Sequence, residues 1–163
     1  MIEINPVKNK YDYLQIEQLA NTIWREHYIP IVGKPQIDYM LDKYQSAKAI
    51  SEQIAHGFEY FTTTFNQIPM GYFSIKQEKE YLFLSKIYIL KNYRGKGIGK
   101  IMMTSIEEKS KVYNLNKVRL TVNIHNSNSI KAYEKLGFTN VGALVTDIGN
   151  GFVMDDYVME KAF

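Results

Sequence analysis

Between Tyr88 and Met103 the chain reads YILKNYRGKGIGKIMM. An apolar run ends at Leu90, and Arg94-Gly95-Lys96-Gly97-Ile98-Gly99 follows. Ile98, Ile101, Met102, Ser105 and Ile106 then take up helical spacing, which predicts a helix of about four turns to about Tyr113. A helix N-terminus presents unpaired N–H groups and the positive end of the helix dipole. Glycines just ahead of it let a ligand reach the backbone with no Cβ in the way. Arg94, Lys96 and Lys100 add full positive charges. A tight strand-to-helix turn needs one glycine, and three alternating ones point to an anion site suited to phosphate.

Two common phosphate motifs are excluded by spacing. Walker A needs a glycine five residues before its Gly-Lys pair; those positions hold Arg94 and Leu90. The dinucleotide fingerprint Gly-x-Gly-x-x-Gly, started at Gly95 or Gly97, ends on Lys100 or Met102.

The flanking pattern predicts the remaining elements. IEINP is a first strand closed by Pro6. Ile16, Leu19, Ala20, Ile23 and Trp24 form one helical stripe, interrupted by Pro30, Gly33 and Pro35. Ile37, Met40, Leu41 and Tyr44 mark a second short helix, and about Ala47 to Gln53 a weaker third. EYFTTTF, MGYFSIKQ and YLFLSKIYIL predict three consecutive antiparallel strands, with turns at Asn66-Gln67 and near Glu78-Lys79-Glu80. KVRLTV is a strand, and SNSIKAYEKLGF is a helix closed by Gly137 with Phe138 packing back. VGALVTDI and FVMDDYVMEK are strands joined at Gly149-Asn150-Gly151. The order β-α-α-β-β-β-α-β-α-β-β predicts an α/β domain around a mixed sheet, spanning residues 1–163.

At 163 residues and 45% hydrophobic, the chain suits one core. It has no apolar run of about 18 residues and no apolar leader at MIEINPVKNK. It has no cysteine, hence no disulfide, thiolate nucleophile or Cys-bound zinc, which fits a reducing cytoplasm. The net charge of +3 is small and its basic residues are dispersed, which argues against nucleic-acid or membrane partners.

Arg94-x-x-Gly97-x-Gly99 after an apolar strand resembles the pyrophosphate loop of the GNAT (GCN5-related) N-acetyltransferases. NSNSIKAYEKLGF, Asn126 to Phe138, is similar to that family's Asn-x-x-Ala-x-x-x-Tyr-x-x-x-Gly-Phe, with Ser129 in place of the usual alanine. The resemblance covers about Glu59 to the C-terminus, and the first strand and helices fit the family's N-terminal arm. It implies a GNAT-type, mainly antiparallel sheet of about seven strands with a splayed cofactor cleft.

The implied activity is acetyl transfer from acetyl-coenzyme A to an amine by direct attack, with no metal. Backbone N–H groups about Gly95, Lys96, Gly97, Ile98 and Gly99 would hold the pyrophosphate, with Arg94 and Lys100 beside them. The pantetheine arm would lie between the strand containing Ile87 and Ile89 and the strand Lys117–Val122, near Asn126 and Ser129. Asn126 has the alternative role of helix N-cap, and Lys131 and Lys135 read as a solvated face. The Ile89 amide would polarise the thioester, and Tyr133 would assist release of coenzyme A; a packed core tyrosine is the plainer reading of Tyr133. Relatives with a glutamate base carry it on the strand before the loop. Here the counterpart is Phe83, with Ser85 and Lys86 nearby. His27, Glu59, Asp155, Asp156 or an ordered water remain as candidate proton acceptors.

The resemblance places the acceptor between the N-terminal helices and the last hairpin. Trp24, His27, Tyr28 and Tyr39 are candidates for an aromatic pocket, and Asp155 or Asp156 for attracting a cationic amine. Strand alternation lets only one of those two face the cleft. The segment is loosely similar to enzymes acting on polyamines, while peptides and other small amines are equally compatible, as is a homodimer. The missing strand carboxylate also admits a non-catalytic acyl-coenzyme A sensor on the same scaffold.

Overall fold

The computed structural model describes all residues, Met1–Phe163. Its elements are β1 (Ile2–Pro6), α1 (Lys10–Val32), α2 (Lys34–Gln45), α3 (Ala47–Ala55), β2 (Phe58–Phe65), β3 (Ile68–Gln77), β4 (Leu82–Ile89), α4 (Ile98–Val112), β5 (Lys117–Asn123), α5 (Ser127–Lys135), β6 (Thr139–Gly149) and β7 (Phe152–Ala162). A single 3₁₀ turn, Lys91–Tyr93, leads from β4 into the glycine-rich turn. The order matches the sequence expectation except that the weak third helical piece is a full element, α3, giving three helices before β2 where the expected order had two.

Local chemistry accounts for the helix ends. Asn9 and Asp12 close a reciprocal capping box at the start of α1, which satisfies two otherwise orphaned donors. Contrary to the expected interruption at Pro30, α1 runs through it to Val32. A proline in the last turn removes one ladder bond only, and the break falls at Gly33, whose φ is +89°. At the end of α5, Gly137 has φ +100°, and the Phe138 N–H donates to the Tyr133 carbonyl at 3.0 Å. The Gly137 N–H donates to the Glu134 carbonyl at 3.0 Å. This Schellman closure buries Phe138 under Tyr133, as the sequence predicted.

The seven strands form one sheet, in the order β1-β2-β3-β4-β5-β7-β6. All neighbours are antiparallel except β4 and β5. Those two pair only at Leu82↔Val118 and Phe83↔Arg119, and beyond that point they diverge. One face of the sheet packs on α4 and α5 through Phe73, Leu84, Met102, Ile106 and Leu120. The other packs on α1, α2 and α3 through Ile16, Ile23, Ile37, Ile50 and Tyr72.

β4 changes face part-way along. Ser74 pairs with Lys86, and the next residue, Ile75, pairs with Leu84, so Ser85 is the extra residue of a bulge. Before it, Leu82 and Leu84 face α4; after it, Ile87 and Ile89 do. Tyr88 consequently points to the α1 side. Opposite this segment is Gly71, which pairs with Ile89. A Cβ at Gly71 would overlap the Tyr88 carbonyl and lie 3.1 Å from Ile89 Cα. Gly71→Val is expected to cost about 2 kcal/mol or more by overpacking. A thermal melt should show a fall of about 4–8 °C for a chain of this size. An unchanged melting temperature would contradict this reading of the strand contact.

Candidate active site

The glycine turn has the shape its sequence suggests. Gly95 and Gly97 adopt φ +75° and +80°, and Gly97 is the N-cap residue immediately before α4. The first intrahelical bond of that helix runs from Ile101 N–H to the Gly97 carbonyl. The N–H groups of Ile98, Gly99 and Lys100 precede this bond and lack an intrahelical acceptor. No side chain caps them. A Cβ built on Gly95 or Gly97 would meet nothing, so both glycines are required by backbone conformation and leave free space above the amides. The Ile98 side chain is buried in the core, so its contribution is its amide. Arg94 is anchored: its Nε donates to the Ile89 carbonyl at 2.9 Å. Lys96 lies over the Tyr93 ring, and Lys100 is exposed. Open amides, a helix N-terminus and cations together fit a diphosphate.

From this turn a cleft of about 390 Å³ runs between β4 and α5. His27, Ile87, Ile89, Arg94, Ser129 and Tyr133 are among its walls. The Leu90 N–H is bonded to Met70 on β3 at 2.8 Å. By alternation the Ile89 N–H faces the other way, toward the cleft. Tyr133 is half-buried, and burial raises its phenol above the ordinary value, followed by the effect of Tyr28. Asn128, Ala132 and Leu136 also line the cleft and escaped the sequence reading.

Asn126 is buried and does not cap α5 with its side chain, contrary to its alternative expected role. Its Oδ1 lies 3.1 Å from His27 Nε2. An amide oxygen only accepts, so in this contact the imidazole Nε2–H is the donor. Burial lowers the His27 pKa, partly opposed by the bond to Asn126 and reinforced by Arg94. His27 therefore lines the cleft that starts at the glycine turn and ties α1 to the start of α5.

A second cavity, of about 240 Å³, lies on the other side of β4 under α1 and α2. Trp24, Tyr28, Met40, Lys86, Tyr88 and Asp156 are among its walls. Tyr28 and Tyr88 line both cavities, their hydroxyls 3.1 Å apart. Trp24 packs edge-on against both rings at 5.7 and 5.6 Å. The two tyrosines thus form the partition between the spaces.

Of the acidic pair, Asp156 faces this cavity and is buried, as alternation required of one of them. Burial, and after it the charge of Asp155, pushes its carboxyl up to about 6. Two other candidates fall outside. The Tyr39 hydroxyl donates to the Ile148 carbonyl at 2.6 Å and its ring packs on Phe152, so Tyr39 is a strut between α2 and the last hairpin. Glu59 accepts from Tyr113 at 2.6 Å, away from both cavities. Tyr88 and Lys86 are the main wall residues not assigned a role from sequence. Apolar residues flank Ser85-Lys86 on both sides, and nothing in that polar pair says that a bulge reverses the faces of the strand there.

This arrangement is that of a GNAT-type acetyltransferase, and the chain belongs to the acetyltransferase (GNAT) family, whose pattern it matches over residues 15–138. It is 31% identical over 108 residues to an N-alpha-acetyltransferase of Sulfurisphaera tokodaii, covering 64% of this chain and 63% of that one. The match therefore spans less than two thirds of that relative. The fold is similar to the PaiA N-acetyltransferase of Thermoplasma acidophilum in complex with coenzyme A, with TM-score 0.84 and 21% identity over 100% of this chain and 99% of that one. It is also similar to a GNAT family acetyltransferase from Elizabethkingia anophelis with acetyl-CoA bound, with TM-score 0.65 and 15% identity over 99% and 98% of the two chains. No helix is long and apolar enough to cross a membrane.

Replacing Gly97 with valine forces a β-branched residue into a left-handed conformation that costs about 1–2 kcal/mol. Calorimetry with coenzyme A should show affinity reduced by about tenfold or more. Unaltered binding would remove the turn from the site.

Proposed function

We propose that this chain is an acetyl-CoA-dependent N-acetyltransferase in which the amine attacks directly from a ternary complex. The observation that carries this reading is the pair of cavities on opposite sides of β4, separated by the Tyr28–Tyr88 hydroxyl contact. One has an anion cradle at its end, and the other contains a buried carboxylate.

Bound at the Gly95–Gly99 turn, acetyl-CoA supplies an acetyl group activated as a thioester. The chain has four tasks around it. The amides before Ile101 and the Arg94 guanidinium hold the diphosphate. The Ile89 N–H, facing the cleft, donates to the carbonyl oxygen; a preorganised donor of this kind is worth about 3–4 kcal/mol. Tyr133 donates a hydrogen bond toward sulfur. An unperturbed phenol is already about 1.5 units less acidic than a thiol, and burial widens that gap, so Tyr133 keeps its proton and acts as a donor. Asp156 receives the ammonium. As a carboxylate of raised basicity it draws one proton away, directly or through water, so that the amine can attack. As the C–N bond forms and the C–S bond breaks, coenzyme A would leave as a thiolate held by the Tyr133 hydrogen bond, and the second proton of the amine would pass to that thiolate or to water.

The acceptor is an amine small enough to enter the second cavity, or the end of a peptide. The N-alpha-acetyltransferase relative favours a peptide N-terminus. A screen of amines that follows free thiol release tests the activity. Turnover supports an enzyme; tight coenzyme A binding without turnover of any amine supports the sensor reading. Tyr133→Phe should lower kcat by about tenfold or more with the fold intact, and full kcat would leave it a packing residue.

Asp156 yields a paired prediction. Its folded pKa of about 6 lies above the ordinary 3.8. Between those two values the folded chain holds a proton that the unfolded chain has released, so stability falls as pH rises through that window. Asp156→Asn should therefore stabilise the fold at pH 8 by on the order of 2–3 kcal/mol. It should also lower kcat/KM by about a hundredfold and abolish a rise in rate centred near pH 6. Loss of activity together with loss of stability would identify Asp156 as structural.

A further inference from the structure

Lys86 is unusual among the walls of the acceptor cavity. Of the residues around that space, only Lys86 and Asp156 carry side chains that titrate as a full cation and a full anion. Lys86 forms no ion pair with any carboxylate of the chain. Its one hydrogen bond, at 2.8 Å, is to Ser85 Oγ. An ammonium has three donors, so two are left without a protein partner. The rest of the cavity is mainly apolar, with Trp24, Val32, Ile37, Met40 and Phe83 contributing. A cation without a counter-ion in such a place is energetically unfavourable, and burial alone holds its pKa down to about 8. Tyr28, Tyr44 and Tyr88 bring hydroxyls to the cavity but no carboxylate.

The bulge at Ser85 is what turns Lys86 to this side, two residues farther from the cofactor turn than Tyr88. Asp156 lies at the other side, on β7, with β5 between the two strands. Two strand spacings place their backbones about 10 Å apart or more. The cavity thus has a negative end beside the Tyr28–Tyr88 partition and a positive end deeper along β4. Its volume of about 240 Å³ exceeds the roughly 150 Å³ of a cavity that takes benzene, and suits a short amino-acid skeleton.

We propose that Lys86 binds a carboxylate on the acceptor, and that the acceptor is an acidic amino compound: a free aspartate- or glutamate-like molecule, or a peptide whose first residue is acidic. This rests on the acetyltransferase reading above. In the productive arrangement the acceptor amine lies at Asp156 and its side-chain carboxylate supplies the counter-ion that Lys86 lacks. A polyamine would instead bring further positive charge against Lys86 and leave its donors unmatched.

The test compares kcat/KM, by thiol release, for acceptors that differ only in charge. Aspartate is set against asparagine and glutamate against glutamine, both as free amino acids and as the first residue of short peptides, with spermidine as a polycation. The free and peptide arms distinguish the two sources of the same chemistry. The wild-type enzyme should prefer the acid over its amide by about tenfold or more. Lys86→Met should bring that ratio close to one, Lys86→Arg should retain part of it, and Lys86→Glu should reverse it. Equal use of acid and amide by the wild type overturns the proposal, and this comparison decides even if a variant does not fold. An unchanged ratio in Lys86→Met overturns it too. An equal drop in kcat for every acceptor would make Lys86 a proton-transfer residue and likewise reject it. Coenzyme A binding without turnover of any amine defeats the acetyltransferase reading itself, and the proposal with it.

Discussion

After Phe83, β4 has no strand partner on its β5 side. Everything in the site follows from that parting. Strand edges carry N–H and C=O groups that need partners, and a sheet that opens in its middle presents them inside the molecule rather than at a rim. The opening is also where the chain can be approached from both faces. Helices α4 and α5 wall one side and α1 and α2 the other, so one gap gives access to two separate spaces. A ligand laid along the edge satisfies the backbone that β5 leaves unpaired.

Two features keep the gap in working shape. The glycine turn sets the direction of α4 and leaves its first amides open, while Arg94 ties the turn back to the Ile89 carbonyl. The aromatic group of Trp24, Tyr28 and Tyr88 holds the partition from the opposite face. His27 completes the frame by joining α1 to the start of α5 through Asn126. The N-terminal arm therefore contributes walls to both cavities. Asp156 and Lys86 bring the two ionisable charges into the mainly apolar second cavity, where a charge without a partner is unfavourable.

Features carried by short stretches of chain were legible in the sequence. The turn Arg94–Gly99 declares itself because left-handed backbone demands glycine within a few residues. The closure of α5 at Gly137–Phe138 is local in the same way, and the strand and helix order follows from periodicity. Alternation also required that only one of Asp155 and Asp156 face the cleft, without saying which. Relations between distant residues were not legible. Tyr39 looked like a pocket aromatic, but its hydroxyl is taken by Ile148, 109 residues away. His27 meets Asn126 across 99 residues. The bulge at Ser85 is hard to read because apolar residues on both sides of Ser85-Lys86 occupy both faces of YLFLSKIYIL, so the polar pair does not reveal a shift of one residue. Gly71 resembles an ordinary strand glycine until the backbone of Tyr88 is placed against it.

The central physical claim is that exposed main-chain amides at one turn and one strand edge hold the acetyl donor. Amide hydrogen exchange, read residue by residue with and without coenzyme A, tests it most directly. The account predicts slowed exchange at Ile98, Gly99, Lys100 and Ile89, with the β1–β2 end of the sheet unaffected. Exchange unchanged at those four amides under saturating coenzyme A, or protection confined to another part of the surface, would contradict it.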